Sequence, residues 1–259
     1  MAETTDTGLP RAVAIAWGMQ EAPQRGPNRG LSHERIVAAA IQIADAEGLA
    51  AVTMQAVAKS LGFTTMSLYR YVSSKDELLR LMQDSALAVP EKLKLPADWR
   101  DALRAWAGTV REAYRAHPWV VSIPRGPISI LMPNSVRAAD LGLAAMQDLP
   151  LGHDKKMGVI LAISQHVASW VELERNLADE GEVSVPAEGV QLLNEVITPE
   201  RFPHLVPVME SGHYIPDNAP VVETHESIEP DYDFGLDLII SGLEVMEKQQ
   251  AEQKASPGT

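Results

Sequence analysis

A chain of 259 residues with 46% hydrophobic and 22% charged side chains is long enough to bury one large core or two, and too apolar for global disorder. The absence of cysteine excludes disulfides, thiolate metal sites and cysteine nucleophiles, and points to a reducing cytoplasm. The net charge of −13 divides unevenly: residues 22–75 carry six basic and three acidic side chains, whereas residues 81–259 carry 14 basic and 27 acidic ones.

Residues 1–30 hold four Gly and three Pro around short apolar stretches and read as a mostly flexible arm, hinged at Pro27-Asn28-Arg29-Gly30. Ser32 then caps a helix in which Ile36, Val37, Ala40, Ile43 and Ala44 recur at helical spacing until Gly48. Thr53 caps a short second helix ending at Leu61-Gly62, and a third runs over 65–72. Ser74-Lys75-Asp76-Glu77 is a capping box that opens a fourth helix, reaching Val89-Pro90. Further helices are predicted over 98–116, 133–147, 154–178, 187–195 and 231–251, separated by Pro and Gly breakers. The stretch 182–230, rich in Pro and acidic residues, is the least regular.

No segment alternates as a strand would, so the expected fold class is all-α. Its expected parts are the arm (1–30), a three-helix unit with a helix-turn-helix (31–80), a larger helical domain (81–250) and a disordered tail (251–259). The longest uncharged helical stretch, residues 157–171, contains Gln165 and His166 and falls short of the roughly 20 apolar residues that cross a bilayer.

The second and third helices carry the most specific pattern. Two short helices crossing steeply need a small residue at their contact, a turn residue tolerant of positive φ, and apolar anchors on the second helix. Ala58, Gly62 and Leu68 meet these needs in order, with Val57, Leu61 and Phe63 supplying the apolar underside. Removing the anchors leaves Thr64, Thr65, Met66, Ser67, Tyr69, Arg70 and Tyr71 as a face of hydroxyl, aromatic and guanidinium groups. Lys75 stands at the start of the next helix. Such groups suit phosphates and base edges, and Met66 suits a thymine methyl. DNA affinity follows the local field, screened over about 8–10 Å, so a distant acidic body does not forbid it.

From Ser32 to about Met82 the chain resembles the N-terminal domain of the TetR (tetracycline-repressor-like) family. The resemblance rests on Ala44-Asp45-Ala46-Glu47-Gly48, Val52-Thr53, Val57-Ala58, Leu61-Gly62, Ser67-Leu68-Tyr69, Tyr71-Val72 and Lys75-Asp76-Glu77-Leu78-Leu79. It implies that Thr53, Tyr69 and Lys75 contact phosphate and that Met54, Thr64, Thr65, Met66 and Ser67 lie near bases. Arg70 is placed at the DNA with them, and Tyr71 either packs or meets phosphate. The segment from Trp106 through Glu174 resembles the effector domain of tetracycline-repressor-type members. The resemblance therefore implies a repressor that binds a palindromic double-stranded operator as a homodimer, is released by a small-molecule effector, and needs no cofactor.

Candidates for an effector pocket are Trp106, Trp119, Arg125, Asn134, Gln165, His166 and Trp170, polar or aromatic residues on otherwise apolar helices or at their ends. Each tryptophan also suits core packing, His166 a buried hydrogen bond or a subunit interface, and Arg125 a surface ion pair. Ile160, Ile163, Val167 and Trp170, with Leu236, Ile239, Ile240, Leu243 and Met246, form two stripes that suit a dimer interface or an internal core. The span 179–237 holds 14 carboxylates and one basic residue, Arg201. With no histidine pair at i, i+4 and no Asp/Asn-rich loop, it reads as solvated chain that repels DNA and not as a metal site. An enzyme is the main alternative from another class. It lacks a constellation: there is no Gly-x-Ser-x-Gly elbow, phosphate loop, dinucleotide fingerprint or zincin motif. A helical protein–protein adaptor with a degenerate helix-turn-helix would suit the acidic body, but the Thr/Ser/Tyr/Lys face argues against it.

Overall fold

The computed structural model describes residues 8–20, 30–90, 93–180, 187–211 and 225–255, and among these the chain is helical with no strand. Two compact units are present, Met1–Val171 with Leu236–Thr259, and Glu172–Gly235.

In the larger unit, the first helix is one the composition of the arm concealed. α1 (Arg11–Ala16) buries Ala12, Val13, Ala14 and Ile15 and packs on α5 (Lys75–Ala86). Residues 8–20 are therefore not a flexible arm; the expected hinge at 27–29 lies outside the described residues. Six residues are too few to hold a helix by propensity alone, so α1 depends on the apolar face of α5 and on Arg11. The Arg11 guanidinium donates to the Glu77 carboxylate at 2.9 Å and to the Tyr71 carbonyl at 2.9 Å. Beyond the helix, the Trp17 indole N–H donates to the Leu131 carbonyl at 2.8 Å.

The next three helices, α2 (His33–Glu47), α3 (Met54–Leu61) and α4 (Thr65–Tyr69), enclose a small core of Ile36, Val52, Val57 and Leu68, all with no exposed surface. Each helix starts at a hydroxyl. Ser32, Thr53 and Thr64 accept from the backbone N–H of Arg35, Ala56 and Ser67 at 3.2, 3.0 and 3.3 Å. Such caps are worth about 1 kcal/mol each. Gly62 ends α3 with φ at +75°, the left-handed region that glycine enters without a steric penalty. α5 opens on half of the expected box: Ser74 accepts from the Glu77 N–H, but the Glu77 carboxylate takes the N–H of Ser73, one residue before the cap, in place of that of Ser74.

α6 (Trp99–Ala116) packs on α7 (Pro133–Ala145), with 3-10 turns at Pro118–Ser122 and Ser129–Leu131 between them. α8 (His153–Glu180) and α11 (His225–Ala255) follow, and Arg104 on α6 meets Asp237 on α11 at 2.9 Å. Arg100 on α6 pairs with Glu244 and, at 3.6 Å, with Glu247. Ile160, Ile163 and Val167 of α8 and Leu236, Ile240 and Leu243 of α11 are buried within this one chain. The greater part of the stripes considered for a dimer interface is thus internal core. α11 also runs five residues into the expected tail before ending at Ala255.

The smaller unit contains the end of α8, α9 (Ala187–Val196), α10 (Val206–Glu210) and the first turns of α11. The stretch expected to be irregular is more helical than its composition suggests. Pro207 stands in the first turn of α10, where its missing N–H would have had no helical partner. Among the described residues no helix is long and apolar enough to cross a membrane.

Candidate DNA-reading head and ligand cavity

The reading face is built on a helix of five residues, and its precision comes from what lies beneath it. Leu68 is fully buried and fixes the rotation of α4, which leaves Met66 and Tyr69 outward at 74% and 44% exposure. Thr53, Thr64, Arg70 and Lys75 are exposed beside them, and Thr65 and Ser67 are half-buried. The Thr64 hydroxyl lies 2.9 Å from the Ser67 hydroxyl, so the two share a hydrogen bond at the start of the helix. Two of the expected contacts do not belong to this face. Met54 is buried in the head. Tyr71 is buried too, edge-on to the His33 ring at 5.5 Å, while its carbonyl accepts from Arg11 and lies 3.0 Å from the His33 imidazole. Both follow the apolar side of the fold because a buried aromatic or thioether gains more there than at a wet phosphate.

A cavity of about 500 Å³ lies in the helical domain, walled by α5, α6, α7, α8 and the loop 125–132. Trp106, Met132, Met157 and Ile160 supply apolar wall, and the Trp106 indole N–H is held by the Ala138 carbonyl at 2.8 Å. Four of the seven residues expected at a pocket, Trp106, Arg125, Asn134 and Gln165, line it. Three stand elsewhere. Trp119 is buried and donates its indole N–H to Asp45 of α2 at 2.6 Å, beside His117 Nδ1 at 2.8 Å from the same oxygen. His166 and Trp170 face one another edge-on at 6.1 Å, away from the cavity.

The charged and amide residues of the wall not expected from sequence come from α5. Arg80, Gln83 and Asp84 all border the cavity. Gln83 donates to the Ile123 carbonyl at 3.1 Å, and Asp84 receives the Asn134 backbone N–H at 3.0 Å and its side-chain amide at 3.1 Å. The Asp84 carboxylate thereby caps the N-terminus of α7, whose free N–H groups and dipole favour an anion. Burial nevertheless pushes its pKa above the usual aspartate value, the hydrogen bonds from Asn134 and Ser135 opposing that rise. The available signal was a polar pair, Gln83-Asp84, between the apolar Leu81, Met82 and Ala86 of the same helix. Tyr114, fully buried on α6, also lines the cavity, with the Arg125 guanidinium 5.0 Å from its ring centre.

A helix-turn-helix head joined by a single helix to a helical domain with a ligand-sized cavity defines a one-component DNA-binding regulator. The comparisons with known proteins agree. Residues 36–82 match the family described as "Bacterial regulatory proteins, tetR family", and residues 90–247 match "Tetracyclin repressor-like, C-terminal domain". The HTH-type transcriptional repressor DrrR1 of Streptomyces coeruleorubidus is 35% identical over 264 aligned positions, which span 98% of this chain and 92% of that protein. An HTH-type transcriptional regulator of Saccharopolyspora erythraea is 29% identical over 66% of this chain and 71% of its own length. Among solved structures, ActR of Streptomyces coelicolor in complex with actinorhodin is 26% identical, with a TM-score of 0.66, covering 84% of this chain and 98% of that one. The chain belongs to the TetR family; it is a transcriptional repressor of that family and not an enzyme.

Proposed function

We propose that two copies of this chain grip a palindromic operator and that a small molecule entering the cavity releases them. The observation that carries this reading is that Arg80, Gln83 and Asp84, on the helix that follows the recognition helix, are part of the cavity wall. An occupant touches the reading head's own support. Two further bonds link head and body, from Trp119 to Asp45 and from Trp17 to Leu131, so a displaced wall has several routes to the head. The structural neighbour ActR holds actinorhodin, which supports a small-molecule occupant here.

A two-fold dimer engages both half-sites only when its heads stand about 34–36 Å apart or at a compatible multiple. A ligand that prefers another spacing shifts the dimer off DNA, by no more than its difference in affinity for the two states. Exposed Leu161 on α8 and exposed Leu238, Val245 and Met246 on α11 support a second copy as the partner. The proposed regulator works in the cytoplasm, beside the chromosome.

The test is fluorescence anisotropy with a palindromic fragment from the promoter region of its own gene, at several salt concentrations. Wild type should bind with two chains per operator or a multiple of two, and affinity should fall steeply as salt rises. Tyr69→Ala should weaken binding to all fragments alike, whereas Thr65→Ala and Ser67→Ala should change preference at particular base pairs. Unaltered binding in all three variants would overturn the assignment of the head.

A further inference from the structure

The charged residues of the cavity do not balance. Arg80 and Arg125 are the cations of its wall and Asp84 its one carboxylate, in a chain whose net charge is −13. Asp84 is already engaged by Asn134 at the start of α7. Among the described residues neither Arg80 nor Arg125 pairs with a carboxylate. Arg125 retains exposed surface, yet the protein packed around it lowers its pKa below the usual arginine value by desolvation alone. Inside the chain that cation meets the Tyr114 ring, at 5.0 Å, and no carboxylate.

Beside it, Tyr114 is 1% exposed and its hydroxyl has no hydrogen-bond partner. A buried, unpaired hydroxyl is destabilising, and an acceptor that reaches it relieves part of that cost. Val110, Ile128, Met132 and Met157 add apolar wall to the same cavity.

We infer that the cavity takes an apolar organic anion, its acidic oxygen meeting the Arg125 guanidinium next to Tyr114 and its hydrocarbon body lying among Trp106, Met132 and Ile160. This deepens the proposed function, since it rests on the cavity being the effector site and names the chemistry of the effector. Arg80 supplies a second cation, one helical turn before Asp84 on α5. An anion drawn toward Arg80 acts on the helix that carries the head through charge as well as through shape.

The test uses the full chain and two fluorescent probes of one aromatic frame, anilinonaphthalene sulfonate and the neutral phenylnaphthylamine. Wild type should bind the sulfonate more tightly. Arg125→Gln should lose about tenfold of sulfonate affinity, the scale of one charge-assisted hydrogen bond, with the neutral probe held within about twofold. Arg125→Lys should recover part of the loss, and Tyr114→Phe should weaken the sulfonate by about threefold. Ala139→Trp, which fills the cavity, should abolish both probes, and a thermal melt of each variant verifies folding.

If Arg125→Gln leaves the sulfonate unchanged, or weakens both probes equally, the anion is refuted while the cavity stands. If neither probe binds wild type, or Ala139→Trp blocks neither, the cavity itself fails as a ligand site. The release step of the proposed function then falls with it.

Discussion

Asp84 is where the structure makes its sharpest demand. Replacing it with Ala removes two hydrogen bonds, to the Asn134 N–H at 3.0 Å and to its side-chain amide at 3.1 Å, and leaves the first turn of α7 uncapped. Losing a cap costs about 0.5–2 kcal/mol, and stranding a buried N–H adds about 1–3 kcal/mol. Relief of a carboxylate whose pKa is raised by burial returns part of that cost. The expected net loss is about 1–2 kcal/mol, or about 2–8 °C in Tm for a domain of this size.

Asp84→Asn keeps an acceptor for the Asn134 N–H and discards the buried charge, so it should lose less than half as much. The pH dependence has a definite sign. With its folded value raised above the ordinary 3.8, Asp84 takes its proton in the native state before it does in the unfolded chain. Wild type should therefore gain stability relative to Asp84→Asn as pH falls from about 7 toward about 4. The gain is complete below the ordinary value and is lost as pH rises through the folded one. Urea titrations of the three proteins at several pH values measure this. Equal loss in the Ala and Asn variants would refute the capping role, and a difference between wild type and Asn that runs the other way with pH would refute the dominance of burial over the cap hydrogen bonds at Asp84.

Two other substitutions test the packing around the two sites. Gly142→Ala places a Cβ 3.0 Å from the Trp106 ring and 3.1 Å from Ile160. Overpacking of about 1–3 kcal/mol should outweigh a helix-propensity gain of about 1 kcal/mol, and a variant that melts above wild type would show that Trp106 is not held in place. Thr64→Ala removes the acceptor for the Ser67 N–H and the hydroxyl partner of Ser67. It should cost about 1 kcal/mol in chemical denaturation and loosen operator binding, and full retention of both would mean that α4 needs no cap.

What was legible in the sequence was what local chemistry decides. Ser32, Thr53 and Ser74 were recognisable as helix starts because a hydroxyl before an apolar period has one economical use, and each does accept from an N–H of the first turn. Gly62 was recognisable because the turn between two short helices needs positive φ. The misses depend on partners far along the chain. α1 is a helix because α5 offers it an apolar face and Glu77 offers Arg11 a carboxylate, 66 residues away. Trp119 is committed to Asp45, 74 residues away, which no helical period on its own segment reveals. The sequence leaves Tyr71 open between packing and phosphate, and it packs, buried one residue past the exposed Tyr69 and Arg70. Tyr114 and Asp84 became visible as cavity residues only once four helices had closed around them.

That the cavity wall includes α5 has a mechanical consequence. From Lys75, at the edge of the reading head, to Asp84, at the cap of α7, is nine residues, or about 14 Å at 1.5 Å per residue. Over that length a packed helix moves as a rigid piece, because sliding one residue against α2 would unseat Leu78 and Met82, both fully buried. On the proposed function, a displacement of Asp84 by an occupant should reach Lys75 nearly undiminished, as a rotation or a shift of the whole helix. Signal and reader are separated by fewer than three turns. The coupling between ligand and operator should accordingly depend on Gln83 and Asp84 more than on any residue of the apolar wall. Replacing either should reduce the effect of a ligand on DNA affinity even where its affinity for the cavity is kept, since reciprocity requires a shared two-state element and not contact alone.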